Sequence, residues 1–231
     1  MALDKQNLYR LPWSKNDNPI GWLEVTDICN LKCLRCYRQK ISGDKTLDQI
    51  KEEILFLKRW RKVDNISIAG GEPLMHPQIM DVISFIQQQD IKPIMLTNAL
   101  KLDKPTLVEL KKAGLAGFTI HIDSNQGRPH WRDKTEVETN DLRQHYADMI
   151  HDVGGLYLVF NSTVYPSTEK YIPEMVQWAQ RNIEKVNGMV FICFRTAPLE
   201  EEVTYQVGDD LVDARHLSYA SETPAERDIT S

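Results

Sequence analysis

One alternation constrains the fold of this chain more than any other feature. Six short apolar runs alternate with five longer stretches of helical spacing that lie between them. The strand-like runs are residues 21–26, 65–69, 93–97, 117–122, 156–161 and 189–194. Between them, Thr46 and Gln49 are placed to form a capping box ahead of Ile50, Ile54, Leu55 and Leu57. Pro77 stands where a first-turn proline opens a helix running to about Gln89. Asp103 and Pro105 open the next, and Gly114 closes it. Residues 141–153 end at Gly154 and Gly155, and residues 167–183 carry Ile172, Met175, Val176 and Ala179 at helical spacing with Pro173 near the first turn. Strands joined through helices pair in parallel. Six such strands predict an α/β fold, a partial (βα)6 parallel barrel that stops short of the eight units needed to close. Ligands of such sheets sit at the carboxyl ends of the strands, so the residues there are the ones to read for chemistry.

Composition excludes several functions. The chain has 231 residues, 42% hydrophobic and 26% charged, which suits a globular protein with a sizeable core. A net charge of −5 gives no basic footprint for nucleic acid. No apolar run approaches the ~20 residues of a membrane span, and the opening residues lack the apolar core of a secretory signal, so a cytoplasmic protein is expected. The division expected is an N-terminal extension at 1–19, a core at 20–196, and a segment at 197–231 with nine acidic residues against two arginines. That segment reads as a solvated acidic tail or the start of a longer extension.

Cys29, Cys33 and Cys36 follow the first strand in a loop, where the backbone is free to turn three thiolates toward one centre. Soft thiolates select iron–sulfur clusters or zinc. Structural zinc wants four ligands and would have to recruit a histidine or Cys193. A redox dithiol would use Cys33 and Cys36 and leave Cys29 idle. Cys193, in the apolar run 189–194, reads as an ordinary core residue.

Further motifs stand at the later strand ends. Gly70-Gly71-Glu72-Pro73 follows the second strand, Thr97-Asn98-Ala99 the third, and His121, Asp123 and Ser124 the fourth, with Asn161 placed after the fifth. Together with the cysteine spacing and the aromatic Tyr37, this series resembles the radical S-adenosylmethionine (SAM) enzymes over about residues 20–195. The family's usual Thr-Asn-Gly has Ala99 in place of glycine here, and His121 stands at the first serine of its common Ser-Leu-Asp-Ser. The resemblance implies a [4Fe–4S] cluster on Cys29, Cys33 and Cys36 with one iron left for SAM. It implies reductive cleavage of SAM to a 5′-deoxyadenosyl radical that abstracts hydrogen from a substrate, with an electron donor such as flavodoxin or ferredoxin. Gly70, Gly71, Glu72 and Pro73 would then meet the methionyl amino group, and Tyr37 the adenine. Thr97, Asn98, His121, Asp123, Ser124 and Asn161 are candidates for the SAM carboxylate and ribose, and His121 is open to a substrate role.

The polar stretch 124–139 after the fourth strand is long enough to expect function of it. Its Arg128, His130, Trp131 and Arg132 would suit an anionic substrate, a small molecule or peptide. Two alternatives stay open. One is radical methyl transfer or modification of a lipid or carbon skeleton, which predicts a wide apolar mouth. The other, of a different class, is a non-enzymatic iron–sulfur or zinc module.

Overall fold

A computed structural model describes residues 18–33, 36, 38, 43–194, 197–198, 204–212 and 220–221. Six strands, β1 (Ile20–Thr26), β2 (Asn65–Gly70), β3 (Lys92–Thr97), β4 (Gly117–His121), β5 (Tyr157–Val164) and β6 (Gly188–Cys193), form one sheet in sequence order, every pair parallel. Among the described residues five α-helices intervene: α1 (Leu47–Phe56), α2 (Ile79–Gln88), α3 (Lys104–Lys112), α4 (Asn140–Val153) and α5 (Ile172–Arg181). This is the partial α/β barrel expected from the alternation.

Strand alternation decides what faces where. Leu23, Ile68, Met95, Phe118, Ile120, Leu158 and Phe160 turn toward the helices and are buried against Ile54, Ile83, Leu107, Ile150 and Trp178. Each such side chain contributes roughly 1.5–3 kcal/mol of transfer free energy. On the other face of β4 and β5 stand Thr119, His121, Asn161 and Thr163, which look into the barrel.

The helix starts follow their local chemistry. Thr46 and Gln49 form the capping box of α1, and Asp103 caps α3 with Pro105 in its first turn. Two boundaries differ from the sequence reading. Pro77 is not in the first turn of α2, because His76 turns the chain and its Nδ1 accepts from the Gln78 N–H at 3.1 Å just before the helix begins. Strand β5 runs on to Val164, so Asn161 lies within it rather than after it. The polar run Asn161, Ser162, Thr163 looks like a loop in sequence, but its neighbours on β4 and β6 complete the ladder.

Stretch 124–139 is stapled down. Arg143 is fully buried and donates to the Ile122 carbonyl at 2.8 Å, to Asn140 Oδ1 at 2.7 Å and to Glu136 Oε2 at 3.1 Å. Within the acidic segment, β7 (Ala197–Pro198) pairs with β10 (Ala220–Ser221), and β8 (Tyr205–Val207) with β9 (Asp210–Val212) as a hairpin. Among the described residues no helix is long and apolar enough to cross a membrane.

Candidate functional site

The carboxyl ends of the strands open onto a cavity of about 730 Å³. Cys29, Cys33 and Cys36 all line it, as do Gly70, Gly71, Thr97, Asn98, His121, Asp123 and Asn161. Residues separated by more than a hundred positions thus converge because every parallel strand points the same way.

The turn at Gly70 and Gly71 joins β2 to the start of the cysteine loop. Gly71 N donates to the Thr26 carbonyl at 2.7 Å and Glu72 N to the Ile28 carbonyl at 2.8 Å. A Cβ on Gly70, whose φ is +132°, would stand 2.3 Å from Thr26 O, and one on Gly71 would stand 2.3 Å from Ile28 O. The sequence assigns these glycines to close approach by a ligand; the structure shows that the chain's own backbone makes that approach.

Glu72 is completely buried and does not line the cavity. Its Oε1 accepts from Thr97 Oγ1 at 2.6 Å and Leu74 N at 3.1 Å, and its Oε2 from Asn98 N at 2.7 Å. Burial pushes this carboxyl above the usual glutamate range, while the three donors and Arg128 oppose the shift. Its carboxylate therefore ties the Gly-Gly-Glu-Pro turn to the Thr97–Asn98 turn, with Pro73 buried beside it. Ala99 adopts φ +58°, a left-handed conformation that the glycine of the resembled Thr-Asn-Gly motif would take with less strain. Its N–H donates to Thr97 Oγ1 at 2.8 Å, and its carbonyl accepts from the Tyr146 hydroxyl at 2.8 Å.

His121 lines the cavity with Nε2 2.8 Å from Asp123 Oδ2 and 3.2 Å from Thr163 Oγ1. Asp123 is buried and also accepts from the Asn125 N–H at 2.9 Å. Among the described residues Asn161 Oδ1 is buried without a hydrogen-bond partner, an acceptor on the cavity wall that a ligand hydroxyl or amine would satisfy.

Several expectations need correcting. Arg128 is buried and spends its guanidinium on the Asn98 carbonyl at 2.6 Å, the His121 carbonyl at 2.7 Å and Gln126 Oε1 at 2.6 Å. It clamps the strand ends and does not line the cavity. Nor do Ser124, His130, Trp131 or Arg132, and His130 and Arg132 are exposed. Arg132→Ala is accordingly expected to leave stability within about 0.5 kcal/mol of wild type, whereas Arg128→Ala, which strips buried carbonyls of their donor, should cost about 2 kcal/mol or more. Chemical denaturation measures both, and equal costs would contradict this placement. Cys193 is no core residue: β6 is an edge strand, and the thiol is exposed on the cavity wall. Tyr37 lies outside the described residues. The sequence reading missed Trp22, Thr119, Thr163, Tyr165, Ile192 and Phe194, which also line the cavity.

The donor set fits an iron–sulfur cluster. The three thiols line one cavity, and soft thiolates are the ligands that such clusters take. Burial, and then the negative charges of Asp123, Cys36 and Cys29, push the Cys33 thiol up to about 12. Without cations such a thiol keeps its proton; bound iron would stabilise the thiolate. The unpartnered Asn161 oxygen and the room in the cavity suit a second, organic ligand beside it.

Comparison with known proteins agrees. The model of the Radical SAM superfamily matches residues 23–179. A GTP 3′,8-cyclase of Nostoc punctiforme is 29% identical over 201 residues, covering 77% of this chain and 57% of the relative. A probable GTP 3′,8-cyclase of Methanococcus maripaludis is 32% identical over 111 residues, 44% of this chain and 35% of the relative. The chain therefore spans about half or less of these relatives' length. SuiB of Streptococcus suis bound to its precursor peptide SuiA shares the fold with a TM-score of 0.58 and 19% identity, covering 76% of this chain and 39% of that one. The enzyme anSMEcpe with bound AdoMet gives 0.56 and 14%, covering 75% and 51%. The chain belongs to the radical SAM superfamily and, like its members, is an enzyme whose cofactors are a [4Fe–4S] cluster and S-adenosylmethionine.

Proposed function

We propose that this enzyme abstracts a hydrogen atom from a substrate that enters its cavity beside the edge strands β1 and β6. The observation that carries this reading is the single cavity in which the three cysteines, the glycine turn and the polar row of β4 and β5 meet. When bound, the cluster and SAM supply an electron and a 5′-deoxyadenosyl radical. The rest falls to the chain's own residues. Cys29, Cys33 and Cys36 hold the cluster and leave one iron corner open. Asn161 Oδ1 accepts from a cofactor hydroxyl or amine. Asp123 and Thr163 fix the His121 ring, so its face toward the cavity is oriented before any ligand arrives. Gly70, Gly71 and Glu72 set the wall against which SAM rests, by holding strand ends together rather than by reaching it with side chains. Reduction calls for an external one-electron donor of the flavodoxin or ferredoxin kind.

For the substrate, two features point in different directions. The relatives named GTP 3′,8-cyclase make GTP the first compound to try. The described wall, however, presents Trp22, Tyr165, Ile192 and Phe194, with Tyr165 and Phe194 packed at a ring separation of 4.9 Å. An aromatic and aliphatic surface of this kind favours a substrate with an apolar body, the second reading, in which a lipid or carbon skeleton is modified.

Anaerobic reconstitution with iron and sulfide tests the proposal. About four irons per chain, with 5′-deoxyadenosine formed from SAM on reduction by dithionite, are the expected results. Iron uptake without SAM cleavage would overturn it. A rise in 5′-deoxyadenosine on adding GTP would identify a nucleotide substrate; an unchanged rate with GTP favours the apolar class.

A further inference from the structure

Asn98 stands at the cavity wall, buried, with every polar group engaged. Its N–H donates to Glu72 Oε2 at 2.7 Å, and its carbonyl accepts from Arg128 at 2.6 Å. The side-chain oxygen accepts from the Leu100 N–H at 2.8 Å. That bond fixes which end of the amide is which, since the flipped amide would set NH2 against N–H. The NH2 group then points the other way, 2.7 Å from Asn30 Oδ1 and 3.8 Å from Cys29 Sγ. An amide has two hydrogens, one for each partner. Cys29 Sγ also accepts from the Leu31 N–H at 3.4 Å. The Cys29 sulfur is thus approached by at least two N–H donors, one of them on a different element held rigid by Glu72 and Arg128.

We propose that Asn98 is a positioning residue for the iron–sulfur site, donating from its side-chain amide to the Cys29 sulfur and thereby raising the reduction potential of the cluster bound there. Hydrogen bonds to cluster sulfurs are one of the levers by which a protein sets that potential. The sign follows from charge. Reduction adds an electron to the cluster and its ligand sulfurs, so a donor stabilises the reduced form more than the oxidised one. No proton changes place. The inference rests on the reading that Cys29, Cys33 and Cys36 carry the cluster, and it gives Asn98 a task distinct from contact with SAM. Glu72 enters the same chain, because its carboxylate holds the Asn98 backbone in place.

The test is a redox titration of reconstituted enzyme without SAM, followed by electron paramagnetic resonance. Asn98→Ala removes the donor. Asn98→Asp keeps an acceptor for Leu100 N–H, so the turn survives, and places negative charge where the donor stood. Arg132→Ala serves as the reference outside the cavity. At a fixed potential the reduced-to-oxidised ratio is expected to fall about tenfold in Asn98→Ala, equivalent to about 59 mV for a one-electron couple, and further in Asn98→Asp. If the alanine variant does not fold, the aspartate variant decides alone. Cluster-loaded variants with the wild-type potential, or a higher one, overturn this assignment while leaving the cluster reading intact. Wild-type protein that takes up no iron overturns both.

Discussion

Gly71→Ala enzyme is expected to keep its sheet and lose most of its iron. The new methyl carbon would lie 2.3 Å from Ile28 O, 2.7 Å from Ile28 C and 2.8 Å from Asp27 O. All three are backbone atoms, so no side chain can swing aside to relieve the contact. Something must shift, and the weaker partner is the loop. Gly71 belongs to a turn fixed by Glu72, whereas residues 27–33 lie outside regular secondary structure. Moving residues 27 and 28 carries Cys29 with them and opens the bond from Glu72 N to Ile28 O. Overpacking of this kind costs about 1–3 kcal/mol in a well-packed region. The larger effect is on a site whose three ligands must hold their geometry to within a fraction of an ångström. Iron per chain after anaerobic reconstitution is the measurement, with the far-ultraviolet circular dichroism spectrum as a check on the sheet. Gly188→Ala supplies a control, since its new carbon would meet Val159 Cγ2 at an ordinary 3.6 Å. Equal iron content in Gly71→Ala, Gly188→Ala and wild type would show that the turn does not hold the cysteine loop.

What the sequence made legible, and what it concealed, divides along a physical line. Apolar periodicity is a one-dimensional record of burial, so the strands and helices could be read to within a few residues. The motifs at strand ends were legible too, because parallel strands bring all such ends to one side. Polar residues inside the barrel were harder. Thr119, His121, Asn161 and Thr163 alternate with residues buried against the helices, and a polar inner face makes β5 look finished at Asn161. Counting by two from His121 and Asn161 would have found Thr119 and Thr163. Cys193 misled for the opposite reason: an apolar run signals burial, but nothing in it says that the strand is an edge. Arg128 and Glu72 show a third limit. A charged side chain reads as a surface or ligand group, and its capture by groups far along the chain (Thr97 and Asn98 for Glu72, the Asn98 carbonyl for Arg128) depends on tertiary contacts that no local pattern records.

Glu72 carries the other large expected effect, because it is the carboxylate on which three donors depend, two of them buried and one half-buried. Glu72→Ala would strand the Thr97 hydroxyl and the N–H groups of Leu74 and Asn98, and each unpaired buried donor costs about 1–3 kcal/mol. A total loss of about 3 kcal/mol or more is expected, together with loosening of Asn98 beside Cys29. Glu72→Gln should cost less, about 2 kcal/mol, since the amide oxygen still accepts while its NH2 faces one donor. The pH dependence of that penalty is the sharper test. Burial raises the Glu72 carboxyl in the folded chain, so between its unfolded and folded values the native state binds more protons than the unfolded state. The stability contributed by Glu72 is therefore full below the ordinary glutamate range and is lost as pH rises through the folded value. Glutamine does not titrate. The gap in unfolding free energy between wild type and Glu72→Gln should accordingly be widest at low pH and narrow as pH rises, in urea titrations of the two proteins at matched pH. A gap that widens with pH would mean that the hydrogen bonds from Thr97, Asn98 and Leu74 to a charged carboxylate outweigh its desolvation, and the order of those two effects at the heart of this site would have to be reversed.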